Sequence, residues 1–345
     1  MDKKTVILFG FGILIFLVML YFIGIDNVID ALKHARFEFI LLAVLVQIFT
    51  YFLYTLRWKI LNNLADIHVG VKKLLPMVLV SLAVNNITPS GRGGGEPVRA
   101  YILAKKEGHL MEETFATVVA DRALDTFPFV VLAIITIIGM TFYFDFDTWL
   151  IVLMIVAVIA IIVILALLIY ISINPSFGQR FEGWIVRLVR RFYKKNSEDL
   201  EEKIHSIISG FQDTMKLVLS DRRVLYHALP LSFIIWVFEI IRVYIVFLAF
   251  GANVDLVVIG EVFIVASLVG MIPFLPGGLG AVDGIMVLFY SAAGIPYSIS
   301  AAASVIERLI SFWMTTFIGL VILPYYGSSV LDKISFSPSS SKEDE

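Results

Sequence analysis

The chain contains no cysteine, which removes disulfides, thiolate metal sites and cysteine nucleophiles and leaves its redox compartment unread. Its five histidines, His34, His68, His109, His205 and His227, show neither H-x-x-x-H nor H-E-x-x-H spacing, so no metal site and no metal cofactor is argued. Charge is scarce as well: Asp, Glu, Lys and Arg make up 16% of the residues and net to −2, which excludes a generally basic nucleic-acid binder. The glycine-rich run Gly91 to Glu96 superficially suggests a phosphate loop, but no Gly-Lys-Ser/Thr follows it, and ATP hydrolysis has no support. What the chain has is apolar surface. With 59% hydrophobic residues over 345 positions and a mean hydropathy of +0.91, it cannot hide that surface in one soluble core, so it reads as an integral membrane protein.

Six stretches are long enough to cross a bilayer as helices of roughly 17–25 residues: Thr5–Gly24, Phe39 to about Leu61, Ala123–Phe144, Trp149–Ser172, Ala228–Phe250 and Ser304–Tyr325. The first could pass for a signal peptide, but it lacks an Ala-x-Ala-like exit and reads as a retained helix. Two shorter, interrupted segments lie between them, Leu74–Ile87 with a return over Val98–Leu103, and Val257–Leu275 with a return over Ile285–Ala293. Each reads as a re-entrant hairpin. The expected fold is thus an all-α polytopic membrane protein, one transmembrane domain over 1–330 followed by a disordered polar cytoplasmic tail, 331–345.

Charge placement supports this count, because short cytoplasmic loops collect Lys and Arg. With both termini in the cytoplasm, Arg57, Lys59, Lys72, Lys73, Lys105 and Lys106 fall inside, as does the insert 174–227 with its ten Lys/Arg. The acidic tip Asp145-Phe146-Asp147 and the sparse loop Asn253-Val254-Asp255 fall outside. If either hairpin crossed once, every later loop would change sides. Within the insert, Arg180, Arg187, Arg190, Arg191, Lys194 and Lys195 alternate with Phe181, Trp184, Leu188 and Phe192 as in a basic amphipathic surface helix, which either recruits anionic headgroups or simply anchors the topology.

The same bookkeeping makes residues 38–144 and 225–326 inverted copies. Both interrupted segments contain a proline, a glycine cluster and then a carboxylate: Pro89 to Glu96, and Pro276, Gly277, Gly278 to Asp283. Gly108 precedes Arg122 by 14 residues and Gly294 precedes Arg308 by 14; Arg57 and Arg242 are 185 apart, Asp121 and Glu307 186. Paired broken helices in corresponding halves point to a transport site near the bilayer midplane, against chance recurrence in a Gly-rich membrane chain.

Ionisable side chains in apolar segments are costly and must pair or face water. Those expected there include Arg92, Glu96, Arg99, Asp121, Arg122, Asp125, Glu239, Arg242, Glu261, Asp283, Glu307 and Arg308. Glu96/Arg99 and Glu239/Arg242 have i,i+3 spacing, which allows intrahelical ion pairs that merely pin helices. Alternatively, unwound backbone at Gly93 and Gly94, with Arg92 and Arg99, forms an anion site. Asp121-Arg122 with Asp125, and Glu307-Arg308, stand near the starts of their spans, either as proton or cation relays or as N-terminal acids favoured by the helix dipole. The expected substrate-contacting set is Arg92, Gly93, Gly94, Glu96, Arg99, Arg122, Arg242 and Arg308. The expected gating or coupling set is Asp121, Asp125, Glu239, Pro276, Gly277, Gly278, Asp283 and Glu307. No catalytic set is identified.

The runs Asn86 to Arg99, with one extra glycine, and Pro276 to Asp283, with Asp in place of a usual Glu, resemble the signatures of the flippase-like family typified by the transmembrane region of lysylphosphatidylglycerol synthases, over roughly residues 5–325. The resemblance implies movement of a lipid between leaflets, and without a transferase domain in this sequence it does not imply synthase activity. The expected substrate is an anionic phospholipid or a polyprenyl-phosphate-linked lipid, the expected location the plasma membrane. A lipid-phosphate transferase or phosphatase using Glu96 or Asp121 as base, and a membrane partner docking a lipid-modifying enzyme such as a glycosyltransferase, are the alternatives.

Overall fold

A computed structural model describes residues 35–88, 93–143, 148–174, 197–271 and 280–326, with isolated positions at 33, 278 and between 176 and 187. The first expected span, the expected basic helix beyond 187, the acidic tip 145–147 and the tail 331–345 lie outside the described residues, as do Arg92, Pro276 and Gly277.

All described elements are helical. α1 spans Phe37–Leu64, α2 Val71–Ile87, α3 Gly95–Glu107, α4 Met111–Tyr143, α5 Thr148–Ile173 and α6 Ser197–Ser220; a π-helical turn, Val224–Ala228, leads into α7, Leu229–Ala249. α8 follows at Leu256–Gly270, α9 at Ala281–Ala292 and α10 at Tyr297–Arg308; a second π-helical turn, Leu309–Met314, joins α10 to α11, Thr315–Ile322, which ends in a 3-10 turn. Among the described residues five helical stretches are long and apolar enough to cross a membrane: Phe37–Leu64, Met111–Gly139, Ile151–Ser172, Val224–Ala249 and Tyr297–Tyr326.

The remaining helices are short for local reasons. α3 stops where Gly108 takes a left-handed conformation, φ 77°, a geometry that glycine supplies without steric cost. α9 starts at Gly280, φ 76°, whose N–H donates to Asp283 Oδ2 at 2.9 Å, and α8 starts where Asp255 accepts from the Val257 N–H at 2.8 Å. At 1.5 Å per residue α3 and α9 reach only about 20 and 18 Å, well under the ~30 Å of a hydrocarbon core. α3 folds back on α2 and α9 on α8.

α1 lies along α7, α2 along α11, α4 against α3 and α8, and α10 against α9 and α7. The α2–α11 contact is close enough that a Cβ on Gly319 would land on Ala83 and on the Leu79 carbonyl, and α3 approaches α2 so closely that one on Gly95 would land on the Ser81 carbonyl. Overpacking such a site costs about 1–3 kcal/mol. Gly319→Ala should therefore lower the unfolding temperature in nanodiscs, and an unchanged transition would show that the two helices have slack. α5 is peripheral, with 11% of its most apolar window buried, and its broad exposed apolar surface suits lipid contact. α6 instead lays Phe211, Met215 and Val218 onto the N-terminal part of α4, around Ala116 and Ala120. At the turn leading out of α6, Arg223 donates to both Asp221 oxygens at 2.8–3.1 Å and holds that carboxyl below the usual carboxylate range.

Two expectations about element placement change. α4 begins at Met111, three turns before Ala123, so Asp121, Arg122 and Asp125 stand mid-helix, and Glu307 and Arg308 close α10. The helix-N-terminal reading of these acids fails, since the dipole acts only within the first turn. Arg57, assigned by charge counting to a cytoplasmic loop, is instead buried inside α1 with a side-chain exposure of 2%.

Candidate functional site

Apolar clusters fill the protein on both sides of a polar interior. One is built around Phe129, Trp236, Phe247, Val265 and Tyr290, another around Trp58, Met77, Ile102 and Leu323. Between them a cavity of about 170 Å³ opens among α1, α2, α3, α4, α7, α8, α9, α10 and α11. Five arginines line it, Arg57, Arg99, Arg122, Arg242 and Arg308, and so do five carboxylates, Glu96, Asp121, Asp125, Glu239 and Glu307. The lining therefore balances its formal charge, which is what an apolar surround requires of so many ions.

Asp121 is the centre of one network. Its Oδ1 accepts from Arg57 Nε at 2.7 Å, and its Oδ2 accepts from Arg99 Nη1 and Nη2 at 3.0 and 3.1 Å. Arg57 also donates to Asp125 at 2.8 Å and to Ser232 of α7 at 3.1 Å. The Arg99 guanidinium lies 4.5 Å from the centre of the Trp58 ring, a cation–π contact that suits a desolvated cation. Trp58 is in turn fixed by donating to Thr117 at 3.2 Å. Arg122 approaches Glu96 at 3.9 Å and Asp125 at 3.7 Å.

A second network centres on Arg242. It donates to Glu307 at 2.8 Å, to Gln47 of α1 and to Glu239 one turn back on its own helix. Arg308 donates to Asp283 at 3.0 Å and lies 4.4 Å from the Phe312 ring centre. The two networks exchange partners across α1 and α7: Arg57 on α1 reaches Ser232 on α7, and Arg242 on α7 reaches Gln47 on α1. Gln47 and Ser232, like Arg57 and Arg242, are 185 residues apart in sequence.

The expected intrahelical pair Glu96/Arg99 is absent, because Asp121 captures Arg99; the pair Glu239/Arg242 is present. Glu96 instead accepts from the Asn85 amide at 3.2 Å, while Asn85 Oδ1 accepts from the Gly95 N–H at 2.6 Å. The first freed N–H of α3 is therefore already occupied by a side chain. Gly93 and Gly94 precede α3 directly, and Gly278 has a left-handed φ of 66° in close approach to Gly270 and Val282. Of the expected residues, Glu96, Arg99, Asp121, Arg122, Asp125, Glu239, Arg242, Glu307 and Arg308 converge on one cavity, with Asp283 at its margin through Arg308.

Sequence reasoning missed Arg57, Gln47 and Ser232 as site residues, although the 185-residue offset to Arg242 was a usable signal. It also missed the neutral lining, Tyr51, Tyr54, Asn85, Asn86 and Thr315. The Tyr51 hydroxyl is hydrogen-bonded to Thr315, and Asn86 donates to Thr316 at 2.9 Å and to the Phe312 carbonyl at 3.2 Å. Among the described residues no group of three or more His, Asp or Glu could hold a metal ion.

A family profile described as lysylphosphatidylglycerol synthase TM region matches residues 6–319, which takes in both networks. The chain belongs to this family. A UPF0104 membrane protein of Methanothermobacter thermautotrophicus is 50% identical over 97% of this chain and 99% of its own length. A UPF0104 membrane protein of Methanocaldococcus jannaschii is 30% identical over 93% of this chain and 94% of its own, and one of Pyrococcus horikoshii 29% identical over 93% and 96%. The lysylphosphatidylglycerol synthase TM-region match thus concerns the membrane part alone, and the relatives match the chain nearly end to end.

Proposed function

We propose that this protein moves a lipid between the two leaflets of the plasma membrane, as a flippase or scramblase whose headgroup passes through the charged cavity while the acyl chains stay in the bilayer. The observation that carries the reading is ten ionisable side chains, five Arg and five Asp/Glu, converging on one cavity inside a chain that is otherwise apolar. Such charges in a membrane interior mark a substrate or ion path more often than a structural core.

Two short helix pairs, α2–α3 and α8–α9, are read as re-entrant hairpins entering from opposite faces, and the halves 38–144 and 225–326 as an inverted repeat. Supporting this are the reciprocal Ser232 and Gln47 contacts, the matched salt bridges Arg57–Asp121 and Arg242–Glu307, and the matched packing of α3 on α4 and α9 on α10. Transporters built on inverted repeats place their substrate between the two copies. Both termini are read as cytoplasmic, on the positive-inside distribution of Lys and Arg along the sequence.

A lipid phosphate is the favoured headgroup element, because Arg is the side chain suited to planar, multidentate phosphate contact. An anionic phospholipid or a polyprenyl-phosphate-linked lipid meets that chemistry. The carboxylates that an enzyme would use as bases, Asp121 foremost, serve as arginine counterions, which favours transport over lipid-phosphate chemistry. Mass spectrometry of lipid retained by the purified protein tests the binding half of the claim: one phosphate-bearing lipid enriched over the membrane average is expected. Retention identical to the bulk composition, or product formed from an added lipid phosphate, would displace it.

A further inference from the structure

α8 carries a carboxylate that the cavity does not use. Glu261 is 4% exposed and stands between the buried Ile259 and Val262. Its carboxyl is turned onto α4, where Oε1 occupies the volume that a side chain at Gly139 would need. Oε2 is buried and has no hydrogen-bond partner among the described residues.

The charges on every helix packed against α8 are accounted for. On α8 itself, Asp255 acts on Glu261 with like sign and is engaged at its own helix cap. α7 offers Glu239 and Arg242, which bind each other, Arg242 also holding Glu307 and Gln47. α9 offers Asp283, taken by Arg308 and the Gly280 N–H. On α4 the nearest Asp, Glu, Lys or Arg, Asp125, is bound to Arg57 and lies about 21 Å along the helix from Gly139 at 1.5 Å per residue. No cation among the described residues meets Glu261. A buried, unpaired carboxylate costs several kcal/mol in an apolar surround, whereas the neutral acid does not, so in this packing the group carries a proton.

We propose that Glu261 is a proton-binding site, loaded while its carboxyl is seated between α8 and α4 and emptied when the two helices part. Gly139 is the residue that makes the seat possible. On the transport reading, on which this consequence rests, rearrangement of the second hairpin would take up or release one proton, tying lipid movement to pH.

Infrared difference spectroscopy of the intact protein in nanodiscs reads the proton directly. Wild type is expected to show a protonated-carboxyl band at mildly acidic pH that E261Q lacks, and to lose it as pH rises through neutrality. Because the folded state keeps this proton above the ordinary carboxylate pKa while the unfolded chain has lost it, wild-type unfolding temperature should fall as pH rises from the ordinary carboxylate range to the pH at which the band disappears and level off beyond it, while that of E261Q stays flat over that window. Gly139→Ala should shift loss of the band to lower pH, and its destabilisation should disappear in a Glu261→Ala background. Should E261Q fail to fold, the shifted band of Glu261→Asp makes the assignment. Absence of a Glu261 band at mildly acidic pH, or equal change in stability of wild type and E261Q between mildly acidic and neutral pH, would overturn the proposal. None of these readouts needs lipid movement, so failure of the proton site and failure of the transport reading are separately visible.

Discussion

Asp121→Asn is expected to be the most destabilising conservative change in the polar interior. It leaves the geometry of the side chain and removes one charge, yet that charge neutralises two buried guanidinium groups, Arg57 at 2.7 Å and Arg99 at 3.0 Å. Breaking a buried pair from one side costs about 3–5 kcal/mol, because the orphaned charge stays desolvated. Arg57 would keep Asp125, but Arg99 has no second acid within salt-bridge reach among the described residues. Glu307→Gln, its counterpart, should cost less, since Arg242 retains Glu239 and Gln47. Unfolding of the two variants in nanodiscs, followed by intrinsic tryptophan fluorescence, checks the order. Equal stability of Asp121→Asn and wild type would mean that the network is hydrated and its pairs are weak.

Glu96→Ala and Arg99→Ala should give the largest functional effect with the fold retained. Each removes a member of a network whose remaining charges stay paired: Arg122 keeps Asp125 when Glu96 is lost, and Asp121 keeps Arg57 when Arg99 is lost. Both residues also hold unused capacity, since Glu96 Oε2 and Arg99 Nε are buried without a partner. A hydrogen bond to a charged group is worth about 1.5–3 kcal/mol, so loss of one such contact to a passing headgroup slows transport by roughly ten- to more than a hundredfold. Wild-type rates in both variants, measured on protein with an unchanged unfolding temperature, would place the headgroup path elsewhere.

How far the sequence revealed this site depends on which signal each residue carried. The long apolar runs specified the spans near Phe39, Trp149 and Ala228 to within a few residues of the observed helices, because a lipid-facing helix needs little beyond length and hydropathy. α4 was misplaced at its start for the opposite reason. Its first three turns, with Glu112, Glu113 and Asp121, are polar enough to end a hydropathy run but remain helical, half covered by α3 and α6. Arg57 was misplaced by the same logic, since counting positive residues cannot tell a loop arginine from one with two acids beside it. Spacing predicted that Glu96 and Arg99 could meet, but which partner wins is a tertiary matter: Asp121 sits opposite Arg99 across the α3–α4 contact. The offsets near 185 relate Arg57 to Arg242 and Asp121 to Glu307, and the ion pairs Arg57–Asp121 and Arg242–Glu307 fall on those four positions, but spacing alone could not say that these side chains would meet. Glu261 was visible only as a charge in an apolar run; its isolation follows from what surrounds it.

The most direct test of the account is transbilayer exchange in liposomes that contain the purified protein and a panel of labelled phospholipids and polyprenyl-phosphate-linked lipids. Accelerated exchange of at least one phosphate-bearing lipid, lost in Glu96→Ala and Arg99→Ala, is the predicted result. Exchange no faster than in protein-free liposomes for every lipid in the panel would contradict it.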